Sequence, residues 1–490
     1  SHSCNVKGVA ERRKNMKILY AASEAQPVAA SGGLADVAGS LPKALVEEGH
    51  EACVVVPLYV NTIKQQWRDQ MTYVTNFSVP VGWRSQYCGL FTAKINNVTY
   101  YFLDNEYYFK RDFGLYGYYD DAERYAFFSR AVLEMLKVID FKPQIINSND
   151  WQCALIPVYY SIFYRNDEKL WGIKNVFTIH NIQYQGRYGM EILEDVLGIP
   201  KHFASLMEYD RDINLMKAAI EVSDKVTTVS PTYAREILDP WFSHGLDRAL
   251  ADKQYKTCGF LNGIDTDMYN PATDPAIPAN FTVTKKAGKK ICTQKLLEEV
   301  GLPQGDEPVL GMVSRLVEHK GFDLVKCVFD DIINLGYKVV ILGSGEAQYE
   351  QFFHEMRWKY PDRVAFTCGY IPDLAKKIYA GANMFLMPSK SEPCGLAQMI
   401  SLRYGTIPIV RKTGGLADSI IDCGDENGTG YTFQSYNAHD MLYAIKRAKD
   451  CYWNKTEWNK LVTRAMKADF SWKQSAKLYI GLYEELVGQQ

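Results

Sequence analysis

The sequence predicts an α/β protein of two doubly wound domains with parallel sheets. Three observations carry that prediction: a chain of 490 residues, two successive series of short apolar runs each followed by a loop and a helical pattern, and a hexapeptide that occurs once in each series. A single core stops growing at roughly 250 to 300 residues, so this length implies two domains. The hexapeptide is SGGLAD at Ser31 to Asp36 and TGGLAD at Thr413 to Asp418. Each copy lies in a loop that leads into a helix, and two facing helix N-termini would aim partial positive charge at a shared cleft.

The first series opens with the apolar run from Lys17 to Ser23, continues through the glycine loop at Ser31 to Gly33 and the amphipathic stretch from Leu34 to Gly49, and returns in the run from Glu51 to Pro57. Strand, glycine loop, helix and strand make a βαβ unit. Further strands are predicted at Pro143 to Asn147, Val176 to Ile179, Lys225 to Val229 and Gly259 to Leu261. The turn-rich segment from Asn270 to Asp274 reads as a linker. The second series then runs through Val309 to Val313, Lys338 to Leu342, Val364 to Phe366, Met384 to Met387 and Thr406 to Val410. Residues 1–15 are polar, lack the apolar stretch of a secretory signal and read as a leader or an expression remnant outside the fold.

Composition narrows the class. Hydrophobic residues make up 47% and charged residues 23%, a globular balance, and no apolar run reaches the roughly 18 residues that a membrane span needs. A soluble protein without a membrane partner is expected. The formal net charge of −2 gives no basic footprint, so no nucleic-acid partner is expected either. Thirty-three Tyr and nine Trp suit sugar rings, although most such rings pack in cores. Eleven cysteines without a Cys-x-x-Cys pair argue for free thiols in a reducing compartment, and against a zinc site or a disulfide framework.

Glycine loops at helix starts cradle phosphates because backbone N–H groups approach the anion with no Cβ in the way. Three are present, at Gly32 and Gly33, at Gly343 and Gly345, and at Gly414 and Gly415, and each by itself is equally a tight turn. Neither a Walker loop nor a full Gly-x-Gly-x-x-Gly fingerprint occurs, against an ATPase or a dehydrogenase. Arg315 and Lys320 lie just past a strand end, where open α/β sheets bind ligands, and two cations there suit a departing diphosphate. A solvated loop is the plainer alternative. Glu392 also follows a strand, between Ser391 and Pro393; His180 ends an apolar strand, where a lone histidine is more often structural; Asp150 and Trp151 follow another strand end.

Taken together, SGGLAD at 31–36, NDW at 149–151, TIHN at 178–181, VSPTYA at 229–234, LNGID at 261–265, SRL at 314–316, EPCGL at 392–396 and KTGGL at 412–416 resemble bacterial glycogen synthases and plant starch synthases. The resemblance runs from Met16 to about residue 485, with eight motifs in order. It implies a GT-B fold: two Rossmann-like doubly wound domains facing across a deep cleft, bounded as 16–265 on the acceptor side and 266–468 on the nucleotide-sugar side, with 469–490 as a helix crossing back to the first domain. The implied activity is retaining transfer of glucose from ADP-glucose to the non-reducing 4-hydroxyl of an α-1,4-glucan such as glycogen, starch or a maltooligosaccharide. The alternatives are a transferase using UDP-glucose, and a weakly active or non-catalytic glucan-binding or priming relative.

Carried over by position, the resemblance gives Arg315 and Lys320 the diphosphate, assisted by N–H groups around Thr413, Gly414 and Gly415, and matches Tyr370 to the residue stacking on adenine. Glu392 matches the carboxylate beside the donor glucose, with Cys394, Gly395 and Leu396 lining that pocket. His180 and Asp150 match residues around the donor sugar and its reacting face, with Trp151 and Asn181 beside them; Gly32, Gly33, Asp36 and Asn262 match further cleft-lining positions. The leaving diphosphate needs charge neutralisation more than acid catalysis. No cofactor and no metal are expected: Asp210 with Asp212, and Asp265 with Asp267, read as turn or capping residues. One departure stands out. The family carries a lysine two residues before its first Gly-Gly, where this chain has Ala30, and loss of one charge-assisted contact costs about 1.5 to 3 kcal/mol if nothing compensates. The expected compartment is the cytoplasm, or the plastid stroma if the N-terminus is a processed leader.

Overall fold

A computed structural model describes residues 15–488, so the leader expected at 1–15 lies almost wholly outside the described residues. The chain divides into two compact units. The first runs to Val229, resumes over Ala234–Phe260 and takes in the chain from Ser475; the second comprises Ser230–Tyr233 and Leu261–Gln474.

The first unit is built on β1 (Lys17–Ala21), β2 (Glu51–Pro57), β3 (Thr72–Val81), β4 (Arg84–Ile95), β5 (Val98–Asp104), β6 (Ile145–Asn149) and β7 (Lys174–Ile179). Three short strands follow, β8 (Arg187–Tyr188), β9 (Glu208–Tyr209) and β10 (Asp212–Asn214), then β11 (Lys225–Thr228) and β12 (Thr257–Gly259). The large sheet has the order β12-β11-β7-β6-β1-β2-β5-β4-β3 and is parallel except at β4 and β3. Its central strands are buried on both faces, which is why they read as unbroken apolar runs: Ile18, Leu19, Val54, Val55, Ile145 and Ile146 are fully enclosed. The helix Gly33–Glu47 covers one face by presenting Leu34, Val37, Ala38, Leu41 and Leu45 at helical spacing.

The second unit repeats the scheme with β13 (Val309–Val313), β14 (Lys338–Gly343), β15 (Val364–Cys368), β16 (Met384–Met387), β17 (Ile407–Arg411) and β18 (Tyr431–Phe433). These six strands are all parallel, in the order β15-β14-β13-β16-β17-β18. Amphipathic helices such as Phe322–Asn334, which buries Leu324, Val325, Val328, Phe329, Ile332 and Ile333, follow the strands.

The strand expected at Gly259 to Leu261 is displaced to Thr257–Gly259, where it pairs with β11 from Val226↔Thr257 onward. The segment Asn270 to Asp274 is not a linker. Asp274 is 2% exposed, accepts a hydrogen bond from the Tyr404 hydroxyl and pairs with Lys376, so the second unit holds it in place.

In each of the two large sheets the order of the parallel strands reverses once, and at such a point the loops leaving neighbouring strands diverge and open a crevice beyond their carboxyl ends. In the first unit the reversal falls between β1 and β6; in the second it falls between β13 and β16. Asp150 follows β6 at the first of these places, and Arg315, Lys320 and Glu392 follow β13 and β16 at the second.

Candidate active site

In the first unit the loops after β1, β6 and β7 bring together Glu24, Asp150 and His180. Asp150 adopts φ +58°, a conformation that a short polar side chain tolerates, and its carboxylate turns back to accept the His180 N–H at 2.7 Å and the Asn181 N–H. Burial pushes the Asp150 carboxyl up to about 7, opposed by the two backbone donors and reinforced by the nearby Glu24. Asp36, in the first turn of the helix Gly33–Glu47, is pushed up to about 6 by burial and then by Glu24. Burial alone drives the His180 imidazole down to about 3, so it is neutral at physiological pH.

Glu24 has no counterpart among the residues anticipated from the sequence. It is 4% exposed, and one carboxylate oxygen accepts the N–H groups of Ser31 and Gly32 at 2.7 and 2.8 Å. The other accepts the Tyr116 hydroxyl at 2.7 Å. The start of the helix Gly33–Glu47 is thus capped by a carboxylate from the preceding strand end. A glutamate directly after the first strand of a parallel sheet was the available signal.

Trp151 has a different surrounding from the one expected. The ring is nearly buried, meeting Tyr125 edge-on at 5.6 Å and Tyr188 at 6.0 Å, and a Cβ at Gly186 would lie 2.9 Å from it. It supports the 184–188 loop and offers no free face to a sugar. Asn181 is half-buried, and Gly32 and Gly33 are exposed, with nothing within 4 Å of where a Cβ would stand.

In the second unit a cavity of about 160 Å³ lies at the reversal point, lined among others by Ser314, Arg315, Lys320, Ser389, Glu392, Gly395 and Leu396. The Lys320 ammonium contacts both Glu392 oxygens, at 3.1 and 2.9 Å, and the Ser389 hydroxyl donates to the same carboxylate at 2.9 Å. Burial works to raise the Glu392 pKa, but Lys320, Ser389 and the neighbouring His319 together hold it below the ordinary glutamate value. Glu392 is therefore a fixed anion, 7% exposed. Arg315 is exposed and forms no ion pair among the described residues. Asn262 is buried, its backbone on the Cys394 thiol and its side-chain oxygen without a hydrogen-bond partner among the described residues. Burial pushes the Cys394 thiol up to about 12. Tyr370 stands apart on the surface, 74% exposed.

The loop Thr413 to Gly415 departs from expectation. The Thr413 N–H donates to the Arg411 carbonyl at 3.0 Å, and the Gly415 N–H is shared between the carbonyls of Glu392 and Pro393 at 3.2 and 3.1 Å. A Cβ on Gly414, which has φ +46°, would stand 1.8 Å from the Glu392 carbonyl oxygen, and one on Gly415 would stand 2.0 Å from that of Cys394. Gly414 and Gly415 let one backbone lie against another, and the Thr413 and Gly415 N–H groups are engaged by the chain itself. The two hexapeptides are alike in sequence and unlike in work. The final aspartates differ as well, since Asp418 accepts both the backbone N–H and the hydroxyl of Thr232.

The aspartate pairs behave as turns. Asp210 and Arg211, both with positive φ, make the reversal between β9 and β10, and Asp265 accepts the N–H groups of Asp267 and Met268.

The family model "Starch synthase catalytic domain" matches residues 17–252, and "Glycosyl transferases group 1" matches residues 294–464. The chain is 47% identical over 477 residues to a glycogen synthase of Anoxybacillus flavithermus, covering 96% of this chain and 98% of that protein. It is 46% identical to a glycogen synthase of Clostridium acetobutylicum, with 96% and 100% covered. Among solved structures, the catalytic domain of starch synthase IV from Arabidopsis thaliana bound to ADP and acarbose superposes with a TM-score of 0.88 at 33% identity, covering 97% of this chain and all of that one. Sucrose-phosphate synthase from Thermosynechococcus elongatus, 16% identical with a TM-score of 0.62 and the same coverage, shares the fold, which is GT-B.

Proposed function

This chain belongs to the glycogen synthase family of glycosyltransferases, and from that premise we propose that it lengthens an α-1,4-glucan with glucose taken from ADP-glucose. The observation that carries the reading is the Lys320–Glu392 pair on the second-unit cavity, with Arg315 at its rim. The bond between the anomeric carbon and the diphosphate breaks as the two cations take up the charge that develops on the phosphate, a stabilisation realised in the transition state. Positive charge grows on the sugar ring, and Glu392, kept ionised by Lys320, faces that charge. The acceptor 4-hydroxyl attacks from the side the diphosphate leaves and passes its proton to the departing phosphate oxygen, giving a new α-1,4 bond and ADP. His180, Asp150 and the Glu24-capped loop bind and orient the sugar in this scheme. Charge neutralisation by Arg315 and Lys320 makes a metal unnecessary, so turnover should survive chelation.

Release of ADP from ADP-glucose, measured with and without glycogen, tests this. Glycogen-dependent release is the expected result. Glucan binding without release would establish the non-catalytic reading, and faster turnover of UDP-glucose would overturn the donor assignment. Ten cysteines lie among the described residues, all free thiols, which suits a reducing compartment and supports a cytoplasmic enzyme.

A further inference from the structure

Asn149 is the last residue of β6 and ends on the imidazole of His180, with its side-chain oxygen 2.8 Å from Nε2. The orientation of this amide follows from its other contacts. Its nitrogen lies 2.9 Å from the Ala21 carbonyl and 3.4 Å from the Asn147 carbonyl, and carbonyl oxygens only accept. The Tyr20 hydroxyl donates to the Asn149 oxygen at 3.0 Å. The amide nitrogen must therefore face β1, and the oxygen must face the histidine. An amide oxygen cannot donate, so the hydrogen in the contact with His180 sits on Nε2.

A neutral imidazole has one N–H. With that hydrogen committed to Asn149, Nδ1 is a bare lone pair, and burial keeps it so by holding the ring uncharged. The residue stays half-buried, with part of its surface open. We propose that Asn149 is a positioning residue for glucosyl transfer: by fixing His180 as the Nε2–H tautomer it makes Nδ1 a hydrogen-bond acceptor for a hydroxyl group of the donor sugar. The identity of the ligand rests on the function proposed above; the tautomer does not. His180 is then an orienting acceptor that hands no proton to the reaction. Tyr20, on the shared oxygen, and the buried Cys153 thiol, on the Asn149 backbone, are the titratable groups against Asn149. Asp150 accepts the His180 backbone N–H, and Glu24 acts on Asp150.

Two measurements on the full chain test the assignment. In histidine-selective ¹⁵N spectra, with His180 identified by its disappearance in His180→Gln, the wild-type ring should show a pyrrole-type Nε2 and a pyridine-type Nδ1 with no titration above pH ~5. A pyrrole-type Nδ1 overturns the proposal. Asn149→Asp keeps an acceptor for Nε2–H and Tyr20 but adds a carboxylate, which favours the imidazolium and raises the His180 pKa. Below that raised pKa both ring nitrogens donate, so kcat/KM should fall ~10-fold per pH unit on the acid side and return to within about threefold of wild type above it, with one midpoint in the spectrum and in the kinetics. A folded Asn149→Asp enzyme that is depressed equally at every pH shows a merely structural residue and refutes the positioning role. If wild type shows the Nε2–H tautomer but transfers no glucose, the functional reading fails and the tautomer assignment stands. If the variant does not fold, the wild-type spectrum still decides.

Discussion

Lys320→Ala separates what the Lys320–Glu392 pair does for the fold from what it does for the reaction. The side chains are 20% and 9% exposed, so the pair is screened little by solvent. Removing the lysine leaves the carboxylate with the Ser389 hydroxyl as its remaining side-chain partner at 2.9 Å. Breaking a buried pair from one side costs about 3 to 5 kcal/mol, because the abandoned charge stays buried; with the lysine partly exposed, about 3 kcal/mol is expected at pH 8. The sign with pH follows from the shift. In wild type the Glu392 pKa is depressed, so its contribution is present above the unfolded value and is lost as pH falls through the folded one. Without Lys320, burial dominates and raises that pKa, so the variant should gain stability on acidification. Adding Glu392→Gln removes the stranded charge and should recover at least about 2 kcal/mol, a coupling that a double-mutant cycle in urea at pH 6 and 8 would measure. Turnover should not recover, because the cation that meets the diphosphate is still missing, and a fall of several orders of magnitude is expected in both variants. A stability loss below about 1 kcal/mol, or no recovery in the double variant, would refute the electrostatic account. A turnover loss of less than about tenfold, roughly 1.4 kcal/mol, would refute the phosphate role.

Ala30→Lys should lower kcat/KM, because Glu24 already occupies the Ser31 and Gly32 N–H groups and a neighbouring ammonium would draw that carboxylate away; a clear gain in kcat/KM would show instead that the site lacks one cation. Gly414→Ala should destabilise by more than about 2 kcal/mol, since its Cβ collides with the Glu392 carbonyl, whereas Gly32→Ala should stay within about 1 kcal/mol; thermal melts of the two decide it. Asp150→Asn keeps an acceptor for the His180 and Asn181 N–H groups and abolishes the buried charge. A raised carboxyl pKa means stability is lost as pH rises from the unfolded value toward about 7, so this variant should be more stable than wild type at pH 8 and should lack that loss; equal stability at pH 8 would contradict the burial cost assigned to Asp150.

The parts of the fold legible in the sequence are those where one physical cause dominates. The strands β2, β13 and β16 were predicted with the bounds they have, because strands buried on both faces are apolar throughout. The long strands β3 and β4 were missed for the opposite reason. Their exposed residues include Tyr73, Val74 and Tyr87, so neither an apolar run nor a clean alternation marks them. In the site, Glu392, Lys320, Asp150 and His180 were found because each follows a strand end. Glu24 was missed although it does too, since it falls in no motif, and its role depends on two N–H groups that no sequence pattern displays. In the loop Thr413 to Gly415 the close approach to the 392–394 backbone was not legible, because a glycine that admits a phosphate and a glycine that admits another backbone look the same in sequence.

The first unit is discontinuous in sequence, and this sets an order of events during synthesis. The helix Trp472–Val487 completes that unit's core through the Tyr483 hydroxyl on Asn147 at 2.6 Å and the Tyr479 ring against Phe260 at 5.0 Å, with Glu485 on Lys225 at 3.2 Å at the surface. All three partners leave the ribosome more than two hundred residues before the helix does. At the usual ~5–20 residues per second the nascent sheet waits ~10–40 s with that seam uncovered, while the intervening chain folds ahead of the unit that began first. The first unit is therefore completed only after the chain of the second has been made, and a chain interrupted before Trp472 lacks part of the unit that began first.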